Sequence, residues 1–146
     1  MTTTLLEDFL SGETSRVLHA TWQVLGSRDP ALVDPLVPHI ARIRAATENL
    51  DLGGMLRPNS ANVRYALEKL EHRGQGLCWC QDYPGPDHRD PTREEKDGHV
   101  RILSTSAPGW SMTYECECTV CGRIYAVEQG DYHVMWWRWR GAKRDR

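Results

Sequence analysis

The stretch Cys118-Thr119-Val120-Cys121-Gly122-Arg123-Ile124-Tyr125 decides the fold of the C-terminal half of this chain. Two thiolates three positions apart can bind one tetrahedral metal ion if the backbone turns tightly between them. Gly122, directly after the second cysteine, supplies the freedom that this turn needs and lets backbone amides point at sulfur. The sequence therefore predicts a metal-binding turn at residues 118–122, followed by a strand.

These eight residues resemble the zinc knuckle of zinc-ribbon and related zinc-finger folds. The resemblance implies a second cysteine pair, although here that pair is Cys78-Trp79-Cys80 and not the usual second Cys-x-x-Cys. We predict a short strand over residues 77–80, in which side chains two positions apart point to the same face and can reach one ion. The predicted ligands are Cys78, Cys80, Cys118 and Cys121, with Cys116 as the alternate ligand and replacement of one cysteine by His99 or His133 left open.

The kind of metal site follows from the ligand set and the expected compartment. Four thiolates on one Zn²⁺ form a closed shell without a position for a substrate, so the resemblance implies one structural zinc ion per chain. Five cysteines suit a complete set of disulfides badly. The start of the chain has neither a basic segment nor a long apolar core, so we expect no export signal and a reducing cytoplasm.

The remaining composition is that of an ordinary globular protein. Its 146 residues include 18 Lys and Arg against 20 Asp and Glu, for a formal charge of -2. This near-balance gives no argument from net charge for a nucleic-acid or membrane partner. No apolar run approaches the roughly 18 residues of a membrane span, so we expect no membrane association.

Hydrophobic patterns divide the chain near residue 76. Residues 1–76 contain about four segments with apolar residues at helical spacing, the first capped by Thr4. Residues 77–146 contain about five predicted strands, with Gln129-Gly130-Asp131 as a hairpin turn. We therefore predict an α+β fold, a helical bundle packed on an antiparallel sheet that a four-cysteine zinc site stabilises. We expect one compact unit, because about 76 residues is near the lower size for an independent core.

Tryptophan is the second unusual feature of the composition. Three of the six tryptophans, Trp79, Trp110 and Trp136, are candidate anchors for a partner protein, because tryptophan concentrates in interface hot spots. A small, nearly neutral protein without a catalytic set of residues suits an adaptor, a regulator or an antidote that masks a toxin. We therefore favour a protein-interaction module.

An alternative function is nucleic-acid binding through the C-terminal strand and tail. Trp136 is followed by Arg138 and Arg140, and the tail adds further cations. Aromatic rings beside cations can bind single strands. However, strand alternation places Trp137 and Trp139 on one face, where a core can bury them while the arginines stay in water. This pattern favours a core strand with a soluble tail.

An enzyme is the minor alternative. Asp87-His88-Arg89-Asp90-Pro91 resembles the Asp-His-x-x-Pro pattern of HNH nucleases, in which the histidine activates water beside a metal. The family also needs an asparagine and a second histidine downstream, whereas the last asparagine here is Asn62. We therefore predict no catalytic residues.

Overall fold

The computed structural model describes residues 4–54, 58–132 and 134–141. The architecture is α+β, as predicted, and the chain divides into two compact units, residues 1–82 and 83–146. The expectation that the helical and strand regions form a single unit stays a prediction. Within the described ranges, no helix has the length and apolar character needed to cross a membrane.

The first unit is helical. Its described residues form five α-helices, one more than expected: α1 (Leu5–Leu10), α2 (Thr14–Gly26), α3 (Pro30–Val33), α4 (Ile40–Thr47) and α5 (Asn59–Gly74). Two 3-10 helices, Asp34–His39 and Trp79–Asp82, complete it. The Thr4 cap is confirmed, because its hydroxyl accepts a hydrogen bond from the Glu7 amide at 3.1 Å. This bond satisfies one of the free amides at the start of α1.

Aliphatic side chains fill the core of this unit. α2 contributes Val17, Ala20, Val24 and Leu25, which recur at helical spacing, and α5 contributes Val63, Ala66, Leu67 and Leu70. The amine of Lys69 is buried with them and donates to the carbonyls of Leu25 and Ser27 at 3.3 and 2.7 Å. These bonds satisfy the charged group and tie α5 to the end of α2.

The second unit contains a short helix and an antiparallel sheet. The elements are α6 (Pro91–Lys96), β1 (Val100–Thr105), β2 (Thr113–Cys118), β3 (Ile124–Tyr132) and β4 (Val134–Gly141), and the sheet order is β1-β2-β3-β4. The prediction of about five strands is therefore wrong by one for the described residues. The missing strand is the one expected at residues 77–80, where the chain forms a 3-10 helix.

The predicted hairpin turn at residues 129–131 is also wrong. β3 continues through these residues to Tyr132, and Gly130 pairs with Trp136 across the ladder. A β-carbon added at Gly130 would overlap the Trp136 ring. The glycine therefore makes room for an indole that lies across the strand, and it does not turn the chain.

Aromatic side chains form the core of the second unit. Tyr83, Tyr125 and Trp139 are fully buried, and the Trp139 ring centroid lies 4.7 Å from that of Tyr83 and 5.8 Å from that of Tyr125. Both pairs have the edge-to-face geometry that aromatic rings prefer. The Trp139 indole N–H donates to the Arg89 carbonyl at 2.9 Å, so its polar group is satisfied.

On each of the two outer strands of the sheet, one backbone amide donates a hydrogen bond to an acceptor that is not part of the sheet. On β1, the Ile102 amide donates to the Glu95 carboxylate at 2.7 Å. On β4, the Trp137 amide donates to the Asp87 carbonyl at 2.9 Å. Residues before the sheet therefore cover part of each edge.

Candidate metal centre

The turn at residues 118–122 has the geometry that the sequence predicts. The Gly122 amide donates to the Cys118 carbonyl at 2.9 Å, and the Val120 amide donates to the Cys118 sulfur at 3.4 Å. Gly122 has a φ of 78°, in the left-handed region that favours glycine. The Thr119 hydroxyl donates to the Gly98 carbonyl at 2.7 Å and fixes the turn against the start of β1.

The other cysteine pair lies on a helical turn, not on a strand. The Gln81 amide donates to the Cys78 carbonyl at 3.0 Å, and residues Trp79–Asp82 form a 3-10 helix. The predicted strand at residues 77–80, whose alternation would point both sulfurs to one face, is therefore wrong. A tight helical turn brings the two cysteines together instead.

The structure brings four cysteines into one group. The sulfurs of Cys78, Cys80, Cys118 and Cys121 all lie within 4.8 Å of one another. A tetrahedral site with Zn–S bonds of about 2.3 Å places its sulfurs about 3.8 Å apart. The donor set and the distances therefore fit a metal ion with four thiolate ligands. Cys80 and Cys118 are buried, whereas Cys121 is exposed.

Comparisons with known proteins add no relative. The chain matches no family model, no curated protein and no solved structure. The resemblance to zinc ribbons therefore rests on the 118–122 turn and on the four-cysteine group.

Cys116, the alternate ligand, is not a member of this group. Its side chain is fully buried in the second unit. Burial, followed by the carboxylates of Glu95 and Glu115, raises the pKa of the Cys116 thiol to about 12. A protonated thiol is a poor metal ligand, because the thiolate is the form that binds.

Of the two histidines considered as substitutes, His99 lies in the described residues and is not a member of the cysteine group. His99 Nδ1 lies 3.2 Å from a carboxylate oxygen of Glu94. His133 lies outside the described residues.

The structure places the candidate partner residues in different environments. Trp79 is half-buried and packs against the helical core, so it is not presented as a free anchor. Trp110 is 75 % exposed. Trp136 is half-buried, and the guanidinium of Arg138 lies 5.1 Å from its ring centroid. Arg140 is exposed on the same strand, and the basic tail beyond it, residues 142–146, lies outside the described residues.

The segment that resembles HNH nucleases has structural contacts. The Asp90 carboxylate accepts from the Thr92 amide at 3.0 Å and caps α6. The Asp87 carbonyl accepts from β4, as described above, and His88 is exposed. In the described residues, His88 does not belong to a group of three metal-binding side chains.

Sequence reasoning missed Gln129, which organises the loop that carries Trp110. Its side-chain oxygen accepts from the Tyr114 hydroxyl at 2.7 Å and from the Trp137 indole at 2.9 Å. Its amide nitrogen donates to the carbonyls of Gly109 and Trp110, both at 3.2 Å. Only the β-strand alternation, which puts Gln129 on the buried face, could have indicated this role.

Glu94 is a second buried polar residue that the sequence did not single out. Burial raises the pKa of its carboxyl, but a hydrogen bond from Tyr83 and the nearby Arg89 and His99 outweigh burial and lower the pKa overall. Glu94 also lies within 4.8 Å of Asp97 and His99. The Glu94 oxygens already accept from Tyr83 and His99, with Arg89 nearby, so we assign this cluster a structural role and not metal binding.

Proposed function

We propose that this chain is a zinc-stabilised protein-interaction module, namely an adaptor, a regulator or a toxin antidote, in which zinc is structural. The four-cysteine group carries the proposal. Zn²⁺ binds four thiolates in closed structural sites, and such a site has no position for a substrate. Its binding free energy becomes folding free energy, about 10 kcal/mol or more in isolated finger peptides.

The presentation of Trp110 supports a protein partner. Trp110 is 75 % exposed, while the side-chain amide of Gln129 donates to the backbone carbonyls of Gly109 and Trp110. A large aromatic side chain on a fixed loop loses little conformational freedom on binding. Tryptophan in this position is a typical interface anchor.

The charge of the exposed sheet face gives less support to a nucleic-acid partner. Arg138 lies directly opposite Glu128, and Arg140 and Glu115 both lie opposite Ala126. Arg101 pairs with Glu117 on the same face. Three arginines therefore share this face with three carboxylates, whereas phosphate binding needs an excess of cations.

Metal analysis of the purified protein tests the zinc site. We expect about one zinc per chain in the wild-type protein. Cys121→Ser should lose zinc, because it removes one of the four ligands at an exposed position. Absence of zinc from the wild-type protein, together with thermal stability that a chelator does not change, would overturn the proposal.

A site-specific photo-crosslinker tests the interaction surface. Placed at Trp110 in the native host, it should give one protein adduct that is absent when the crosslinker is placed at the exposed Arg140. The adduct protein, purified, should then bind the wild-type chain and lose affinity with Trp110→Ala. Equal adducts at both positions, or a nucleic-acid adduct with salt-dependent binding, would contradict a protein-interaction module.

A further inference from the structure

The route from α5 to Cys78 is fixed by a C-terminal helix cap. The Leu77 amide donates to the His72 carbonyl and the Gly76 amide donates to the Arg73 carbonyl, both at 3.0 Å. Gly76 has a φ of 73°. This pattern of two bonds around a left-handed glycine is the Schellman motif, which satisfies the last carbonyls of a helix. The motif sets the direction in which the chain leaves α5 toward the first cysteine.

Trp79 then attaches the cysteine turn to α5. The guanidinium carbon of Arg73 lies 3.9 Å from the Trp79 ring centroid, and the amine of Lys69 lies 5.4 Å from it. The two cations are four positions apart on α5 and therefore share one face of the helix. Attraction between cations and the indole face holds the ring against the helix.

Both cations are held by other partners. Arg73 makes two hydrogen bonds to the Asp34 carboxylate, at 3.0 and 3.2 Å. Lys69 is 3 % exposed and donates to two carbonyls at the end of α2. The Trp79 indole therefore contacts two cations whose positions are fixed by other hydrogen bonds, and these contacts restrict the position of the indole.

From these contacts we infer that Trp79 is a positioning residue for the metal centre, which holds Cys78 and Cys80 in the turn that presents their sulfurs. This inference rests on the proposed zinc site. Supporting residues around metal ligands typically change metal affinity by about 10–100-fold when they are replaced. Cysteines on an unanchored segment would lose conformational freedom when the metal binds, and this loss would weaken binding. Contacts of Trp79 restrict Cys78 and Cys80 before the metal binds, which lowers that cost.

Zinc affinity measured by competition with a chelator tests the inference in a series of variants. Trp79→Leu keeps an apolar side chain but removes the cation contact, and it should weaken zinc binding about 10-fold or more. Trp79→Phe keeps a ring and should recover most of the affinity. Trp110→Ala is the matched control, since its side chain is exposed, and it should bind zinc as the wild-type protein does.

Two further readouts separate positioning from general stability. The helix content of the metal-free Trp79→Leu protein should match that of the metal-free wild type, and the thiolate charge-transfer band of the Co²⁺ form should shift or weaken in Trp79→Leu alone. Wild-type zinc affinity in Trp79→Leu would overturn the inference and leave the zinc site intact. A wild-type protein that binds neither Zn²⁺ nor Co²⁺ would overturn both.

Discussion

Replacement of Gln129 by leucine should destabilise the second unit strongly, although it keeps the size of the side chain. The change removes the acceptor of two donors, the Tyr114 hydroxyl and the Trp137 indole N–H. A buried donor left without a partner costs about 1–3 kcal/mol. Two such donors would cost about 2–6 kcal/mol in total. The Tyr114 hydroxyl can still reach the weak acceptor Met112 Sδ, 3.3 Å away, so we expect the lower half of that range, about 2–4 kcal/mol.

The carbonyls that Gln129 also binds should contribute less to this loss. Gly109 and Trp110 belong to an exposed loop, and water can replace the side-chain amide there. Their release should instead mobilise the loop, which narrows the NMR line of the Trp110 indole N–H. The stability and mobility effects of the same substitution are therefore measured by different signals.

Amide hydrogen exchange of β3 and β4 measures the free energy for opening the sheet. A loss of about 2–4 kcal/mol corresponds to a decrease in protection of roughly 30- to 1000-fold. Gln23→Leu is the control, because Gln23 is exposed on α2 and its replacement should leave the sheet unchanged. Protection in Gln129→Leu within about threefold of the wild-type value would refute the reasoning.

Three other substitutions have defined outcomes. Cys116→Ala should retain the full zinc content, because Cys116 is outside the four-cysteine group, and metal loss in elemental analysis would contradict this assignment. Gly130→Ala should cost about 1–3 kcal/mol in urea unfolding, because the added methyl group overlaps Trp136; an unchanged midpoint would count against the packing described. Glu94 has a lowered pKa when folded, so its stabilisation is present above the ordinary carboxyl pKa of about 4.3 and is lost as the pH falls through the lowered value. The melting temperature of the wild-type protein should therefore fall more steeply on acidification than that of Glu94→Gln, and parallel curves would exclude this role.

Local chemistry made part of the structure predictable from sequence. The turn at residues 118–122 depends on Gly122 and on bonds within five residues, and the Thr4 cap depends on an amide three residues away. Contacts of this kind can be predicted from the spacing of residues along the sequence. The same is true of Asp90, which caps α6 through the Thr92 amide.

Contacts between distant residues account for the errors. The segment at residues 77–80 has the composition of a strand, but Trp79 is held by cations on α5, and no local pattern reveals them. Gly130 resembles a turn glycine in sequence, whereas its role is set by the ring of Trp136 across the ladder. The role of Gln129 likewise depends on Tyr114 and on a loop about twenty residues away in sequence.

The partial cover on both edges of the sheet affects how this chain behaves at high concentration. An outer strand with open amides is a template on which a second copy can add its own strand, and repeated addition leads to aggregates. Here the Ile102 amide already donates to the Glu95 carboxylate, and the Trp137 amide already donates to the Asp87 carbonyl. Growth of the sheet from either side would first have to displace these groups. For the proposed interaction module, we therefore expect a partner to contact side chains, such as the Trp110 indole, and not to pair its backbone with an outer strand.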